Sequence, residues 1–278
     1  MNAPKDAVRD AATVLLLRDR PSGEFEVLMV KRHGQSGFMA GAHVFPGGKL
    51  DAADTAEAMV SRLIGLSATE AAHALGEPSL ESARALGMFV AALRETFEEA
   101  GVLLADFTAS ADLVAARKRL HAGTSFADVL SEIDARLRVD QIVPFSRWVT
   151  PVVEPRRFDT RFFVARVDPS QRAEHDEHET TTHAWLTPGE AIDATRRAEI
   201  MLPPPTLKSL LELADFQSAE AVLAAARARK PPMLEPVIQQ IDGSLTILLP
   251  GDPLHPEPVA VLSGSTRMVL EDGRFVAR

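Results

Sequence analysis

Residues Arg94 to Gly101, RETFEEAG, place three glutamates and an arginine within eight positions. On a helix turning about 100° per residue, Glu95, Glu98 and Glu99 share an arc of about 100° beside Arg94. Val90, Leu93, Phe97 and Ala100 fall on the other side, so one face anchors and the other gathers carboxylates. That gathering is unfavourable by itself. Glu95 and Glu99 repel each other at i,i+4, and anions near a helix C-terminus oppose the macrodipole. A divalent cation reverses the sign of both effects, because hard ions such as Mg²⁺ take carboxylate oxygens. On charge alone, a solvated helix face is the commoner alternative.

Composition narrows the chemistry. With 46% hydrophobic and 25% charged residues, a chain of 278 residues is an ordinary globular protein with a sizeable core. The net charge of −9 argues against sequence-independent nucleic-acid binding, which needs clustered cations. No apolar run approaches the ~20 residues of a membrane span, and a membrane-surface role has no support. MNAPKDAVRD lacks the apolar stretch of a signal peptide. Cysteine is absent, which excludes disulfides, zinc thiolates and thiol nucleophiles, so any metal must be held by oxygen or imidazole. The cytoplasm is the expected compartment.

The elements that must position the charged helix follow from pattern. ATVLLLRD (12–19) and FEVLMVKR (25–32), split by PSGE, read as a β-hairpin. The glycine-rich stretch 34–50 reads as a loop allowing close backbone approach, with a short strand at His43–Phe45. Residues 52–88 are alanine-rich and predict two or three short helices, one opened by the capping box SATE (67–70). The charged helix is expected over Met88–Ala100, ended by Gly101. Further helices are expected near 111–121, 125–137, 188–199, 205–216 and 218–229, and strands over 147–153, 161–167 and 182–187. The proline-rich tail carries two or three short strands, including 245–250 and 266–272. This order predicts a mixed sheet covered by helices.

FPGGKLD (45–51) and RETFEEAGV (94–102) together resemble the two halves of the Nudix box, G-x5-E-x7-R-E-U-x-E-E-x-G-U, where U is apolar. Gly48 matches its first glycine; Arg94, Glu95, Glu98, Glu99, Gly101 and Val102 match its second half. Asp54 stands where the box has its first glutamate, Thr96 holds an apolar position, and residues 55–93 replace the usual seven. The split box, FSRWVTP (145–151), RRFDTRFFVA (156–165) and LPPPTLKSLLEL (202–213) are similar to the coenzyme A diphosphatase branch found in animal peroxisomes and bacteria. The C-terminal FVAR is not a peroxisomal address.

The resemblance implies an α/β/α sandwich with a mixed sheet, spanning residues 1–216, with a helical insertion at about 55–88 and an extension at 217–278. It implies hydrolysis of a diphosphate in a small nucleotide, CoA or acyl-CoA giving 3′,5′-ADP and a 4′-phosphopantetheine. ADP-ribose or an NDP-sugar is the alternative substrate, and a regulatory nucleotide-binding module the alternative without turnover. Glu98 and Glu99 would hold Mg²⁺ or Mn²⁺, joined by Glu95 as ligand or base, with Arg94 orienting them.

Glu179, next to the histidine-rich HDEHE (175–179), is a candidate further metal ligand; the segment as a whole reads better as a solvated turn. Gly47, Gly48 and Arg32 are candidate substrate contacts, as are Arg157 and Phe158, although Arg156, Arg157 and Arg161 have Asp159 and Glu154 as alternative partners. Trp148 and Trp185 read as core residues before base-stacking platforms. Homodimerisation is left open.

Overall fold

The computed structural model describes residues 8–32, 41–168 and 180–278. The hairpin forms as β1 (Arg9–Asp19) and β2 (Phe25–Arg32), closed by a turn in which the Arg20 amide donates to the Glu24 carbonyl at 2.8 Å. The glycine segment supplies two short strands, β3 (His43–Val44) and β4 (Gly47–Lys49). Then comes the alanine-rich segment: a 3-10 turn over Ala52–Thr55, α1 (Glu57–Val60), β5 (Leu63–Ile64) and α2 (Ala68–Ala74). The long charged helix is α3 (Ser82–Ala100). Beyond it lie β6 (Ala105–Asp106), α4 (Leu113–His121), α5 (Phe126–Glu132) and β7 (Arg136–Arg138).

The chain returns to the main sheet as β8 (Ile142–Val149), β9 (Phe158–Arg166) and β10 (Thr180–Leu186). It then forms α6 (Pro188–Arg196), α7 (Pro204–Leu213) and α8 (Ala219–Arg227). The tail folds as β11 (Met233–Leu234) and four strands, β12 (Val237–Ile241), β13 (Ser244–Leu248), β14 (Arg267–Glu271) and β15 (Arg274–Ala277).

The main sheet runs β10-β2-β1-β9-β8-β11, with β3 added to β2 and β4 to β1. It is mixed: β1 lies parallel to β9 but antiparallel to β2 and β4. Alternation along β1 divides the core. Ala12, Val14 and Leu16 face α3, where Phe89 meets Phe163 with ring centroids 4.9 Å apart. Leu15 and Leu17 face the other layer, built from α6, α7 and α8. Helices therefore cover both faces, as the α/β/α expectation required.

Several boundaries differ from the sequence reading. Helix α3 starts at Ser82 rather than Met88, because the Glu81 carboxylate accepts the Ala83 and Arg84 amides at 3.0 and 2.9 Å. Helix α5 stops at Glu132, ahead of Asp134, whose φ of 47° no helix continues. Strand β8 covers Ile142–Val149 rather than 147–153, and the tail holds a four-stranded antiparallel sheet, more than the two or three strands expected.

The end of the alanine-rich segment is fixed to the sheet by ion pairs. Arg161, 2% exposed, donates to Asp10 at 2.7 Å and to both oxygens of Glu77, on the exit from α2, at 3.0 and 2.8 Å. Arg147 closes the set with a two-pronged contact to Asp159 at 2.8 and 2.6 Å. Arg161 thus has Asp159 and two further acids as its partners, and is part of the framework. Arg161→Met would remove the most buried cation of the cluster, leaving Asp10 to Arg84 and Glu77 and Asp159 to Arg147 alone. Loss of one partner from a buried ionic cluster costs about 3–5 kcal/mol. Denaturant unfolding of this variant should show a loss of that order, whereas a loss within about 0.5 kcal/mol, the range of ordinary surface changes, would contradict the assignment.

Candidate active site

The site is assembled around the last half of α3. Burial runs almost without a break from Ala85 to Ala100, and Glu98 alone in RETFEEA is more than marginally exposed. Leu93, Phe97 and Ala100 pin the helix to the core, with Phe97 stacked on Phe126 at 6.3 Å. Thr96, the polar residue at an apolar position of the box, is wholly buried and donates its hydroxyl to the Ala92 carbonyl at 2.7 Å. Its departure from the pattern is therefore satisfied locally. The helix closes at Gly101, whose φ of 69° lets its amide reach the Phe97 carbonyl.

Arg94 is the hub. Its Nε and Nη2 donate to the two Asp54 oxygens at 2.8 and 3.0 Å. Its Nη1 donates to Glu95 Oε1 at 2.9 Å and Glu98 Oε2 at 3.2 Å. The remaining Nη2 proton goes to the Lys49 carbonyl at 3.0 Å, so the five N–H groups all find acceptors. Burial opposes the charge of Arg94, but the hydrogen bonds to Asp54 and the nearby carboxylates outweigh it and raise the pKa above the ordinary guanidinium value.

Asp54, 1% exposed, also accepts the Asp51 amide at 2.9 Å, which ties the 3-10 turn to the helix. The sequence flagged Asp54 only as a deviant residue at the first-glutamate position. Its geometry makes it the partner of Arg94.

The glycine strand supplies the opposite wall. The Gly47 amide donates to Glu99 Oε2 at 3.0 Å. A Cβ placed on Gly48 would lie 2.3–2.6 Å from the Glu95 carboxyl group, so only a residue without a side chain lets strand and carboxylate meet. The structure thus brings Gly47, Gly48, Arg94, Glu95, Glu98 and Glu99 together. Arg32 ends β2, with its amide bonded to the Ala42 carbonyl, and its guanidinium has no partner among the described residues.

Other sequence candidates lie elsewhere. Arg157 donates to the Thr150 carbonyl and to Glu235 in the tail, both at 3.0 Å. Phe158 pairs with Arg9 on the far flank of β1 and alternates with Phe162 onto the sheet face opposite α3. Strand alternation turns Phe158 away from the carboxylate helix, and Arg157, which precedes the strand, is engaged by the Thr150 carbonyl and Glu235. Glu179 and the rest of HDEHE fall outside the described residues. Trp148 is buried against Phe162, and Trp185 is half-buried under the Arg18 guanidinium, 4.1 Å above its ring.

One residue at the site gave no sequence signal. Arg117, from α4, reaches the end of α3 and donates Nε and Nη2 to the Glu98 carbonyl at 2.9 and 2.7 Å. Nothing in its local sequence distinguishes it from other arginines of that helix.

Among the described residues, no three acidic or histidine side chains form a ready-made cage for an ion. The three glutamates are tied instead to Arg94 and Gly47, each of those bonds engaging one oxygen. As a donor set, carboxylates alone on a rigid helix suit a hard divalent ion such as Mg²⁺ or Mn²⁺.

A split glycine-strand and carboxylate-helix pair on a mixed sheet between two helical layers defines a Nudix hydrolase. Residues 8–213 match the family model described as the NUDT19 Nudix domain, and the chain belongs to that family. It is 30% identical to the human acyl-coenzyme A diphosphatase NUDT19 over 86% of this chain and 75% of the human one. The Xenopus laevis protein of the same name is 28% identical over 85% and 73% of the respective chains. Among solved structures, a NUDIX hydrolase from Alicyclobacillus acidocaldarius superposes with a TM-score of 0.67 at 26% identity, covering 78% of this chain and 96% of that one.

The adjacent glycines predict separable defects. In Gly47→Ala the new Cβ would lie 2.4 Å from the Ala12 carbonyl oxygen and 2.7 Å from Thr13 Cα, backbone atoms that cannot turn aside. Its cost falls on stability, at about 1–3 kcal/mol. In Gly48→Ala the obstacle is the movable end of Glu95, so the fold is retained and the carboxylate is displaced. A displacement of that kind costs roughly 100-fold in turnover. Thermal unfolding beside kcat for both variants checks this, and equal loss of stability in the two would contradict it.

Proposed function

We propose that this chain hydrolyses the diphosphate of coenzyme A or acyl-CoA, releasing 3′,5′-ADP and 4′-phosphopantetheine or its acyl form. The observation that carries the reading is the Arg94-centred set of Glu95, Glu98 and Glu99 against Gly47 and Gly48. The substrate class is supported by the relatives, whose names describe acyl-coenzyme A diphosphatases.

Glu98 and Glu99 are the residues we assign to Mg²⁺ or Mn²⁺, with Glu95 as a third ligand or as the base. Bound there, such an ion lowers the pKa of water and neutralises phosphate charge. In the reaction a water oxygen bonds to one phosphorus and the bridging P–O bond breaks. The leaving phosphate takes that electron pair, and in the base reading Glu95 accepts the water proton. Arg94 holds the Glu95 and Glu98 carboxylates in place, which suits a reaction governed by positioning and electrostatics. Arg32, at the end of β2, remains the cation assigned to substrate phosphate, and Glu179 the further acidic ligand. Arg157 and Phe158 remain substrate-contact assignments of this reading, although the Arg157 guanidinium is shared with the Thr150 carbonyl and Glu235.

The same reading treats residues 1–216 as the catalytic unit and 217–278 as an extension, and assigns a small nucleotide as substrate and the cytoplasm as compartment. No helix among the described residues is long and apolar enough to cross a membrane.

Turnover with Mg²⁺ or Mn²⁺ should be compared across CoA, an acyl-CoA, ADP-ribose, NADH and dinucleoside polyphosphates. CoA or acyl-CoA should give 3′,5′-ADP, and Glu98→Gln should lose about 100-fold or more of kcat, the scale of one misplaced charged group. Cleavage of ADP-ribose without CoA would overturn the substrate, and no metal-dependent cleavage of any compound would overturn the enzyme reading.

A further inference from the structure

The carboxylates of the site occupy the end of α3 where a helix is least hospitable to anions. The carbonyl end carries partial negative charge, and Glu95, Glu98 and Glu99 add to it. Helix α4 answers this from outside the box. Arg117 is 9% exposed, and two of its N–H groups converge on the one carbonyl oxygen of Glu98. Gly101 makes room for it: a Cβ there would stand 3.2 Å from Arg117 Nη1. The glycine that ends the box thus serves two purposes, the left-handed cap and the seat of a guanidinium.

The last four carbonyls of a helix have no partner within it. In α3 the Phe97 carbonyl is taken by the Gly101 amide and the Glu98 carbonyl by Arg117. The backbone of Glu98 is thereby clamped from α4, while its carboxylate is held from the opposite direction by Arg94. Two arginines, one inside the motif and one outside it, fix the same glutamate at its two ends.

We propose that Arg117 is a positioning residue for the metal-binding carboxylates, acting through the hydrogen bonds it donates to the Glu98 backbone. The inference rests on the reading of Glu98 as a metal ligand. It places Arg117 in the reaction without contact to substrate. Loss of Arg117 is expected to weaken metal binding and lower kcat while leaving KM for the nucleotide nearly unchanged.

The test is Mn²⁺ binding to the full-length protein without substrate, followed by electron paramagnetic resonance, for wild type, Arg117→Met, Arg117→Lys and Glu98→Gln. Arg119→Met serves as control, since Arg119 lies on the same helix in an exposed pair with Glu132. The Kd for Mn²⁺ should rise about tenfold in Arg117→Met, with partial recovery in Arg117→Lys, whose ammonium can donate one hydrogen bond to the Glu98 carbonyl in place of the two from the guanidinium fork. Amide exchange of the last turn of α3 should accelerate in parallel, and the control should match wild type. Unchanged Kd and kcat in a folded Arg117→Met, while Glu98→Gln weakens binding, would overturn the proposal and spare the metal reading. Unchanged binding in Glu98→Gln would instead remove the metal reading beneath it. If Arg117→Met does not fold, Arg117→Lys decides: wild-type Kd, kcat and exchange in that variant would reject a geometric role.

Discussion

A guanidinium buried in the middle of a helix has to be surrounded by acceptors or it is not tolerated. Arg94 meets that requirement with Asp54, Glu95, Glu98 and the Lys49 carbonyl. Those acceptors come from segments some forty residues apart in the chain, and the arginine brings them to one place. An isolated buried ion would cost several kcal/mol, so the arrangement forms as a whole or not at all. The same bonds explain why three glutamates can crowd one helix face. Arg94 stands between two of them, and the Gly47 amide holds the third.

The rest of the fold serves the rigidity of that helix. Sheet residues of β1 and β9 support its apolar side, and the segment with α2 packs against it through Ala71, Ala72 and Leu75. Glu77 then ties the end of that segment to Arg161 and the sheet. The alanine-rich segment accordingly packs against α3 and helps bury it. Gly87 shows how closely: a Cβ there would meet Thr55 at 2.6 Å and Leu50 at 3.0 Å. A helix held on so many sides keeps its carboxylates within small displacements, which is what positioning catalysis demands.

Periodicity and local chemistry made much of this legible from sequence. The hairpin, the Ser67–Glu70 capping box, the Gly101 stop and the sidedness of RETFEEAG are all local signals, and the structure contains each of them. The Asp159 partner of Arg161 was among the readings the sequence offered, but the roles of Asp54 and Arg117, and the Asp10 and Glu77 partners of Arg161, were not legible. Each depends on a partner far away in the chain, and an arginine carries no mark of whether it will meet a phosphate or an aspartate. Arg157 illustrates the same limit from the other side, since its partner Glu235 lies in a tail that the box pattern does not reach. Helix starts fail for a related reason: Glu81 as a cap needs only its own neighbours, yet an alanine-rich context hides where the helix begins.

The central claim is that Asp54 and Arg94 act as one unit in holding the glutamates, and a double-mutant cycle measures that directly. Unfolding free energy and kcat would be determined for Asp54→Ala, Arg94→Met and the double variant. The account predicts strong non-additivity, with the second substitution adding little to the first and a coupling of about 1–3 kcal/mol in stability. Losses that simply add would contradict it, and would mean that the two residues support the site independently.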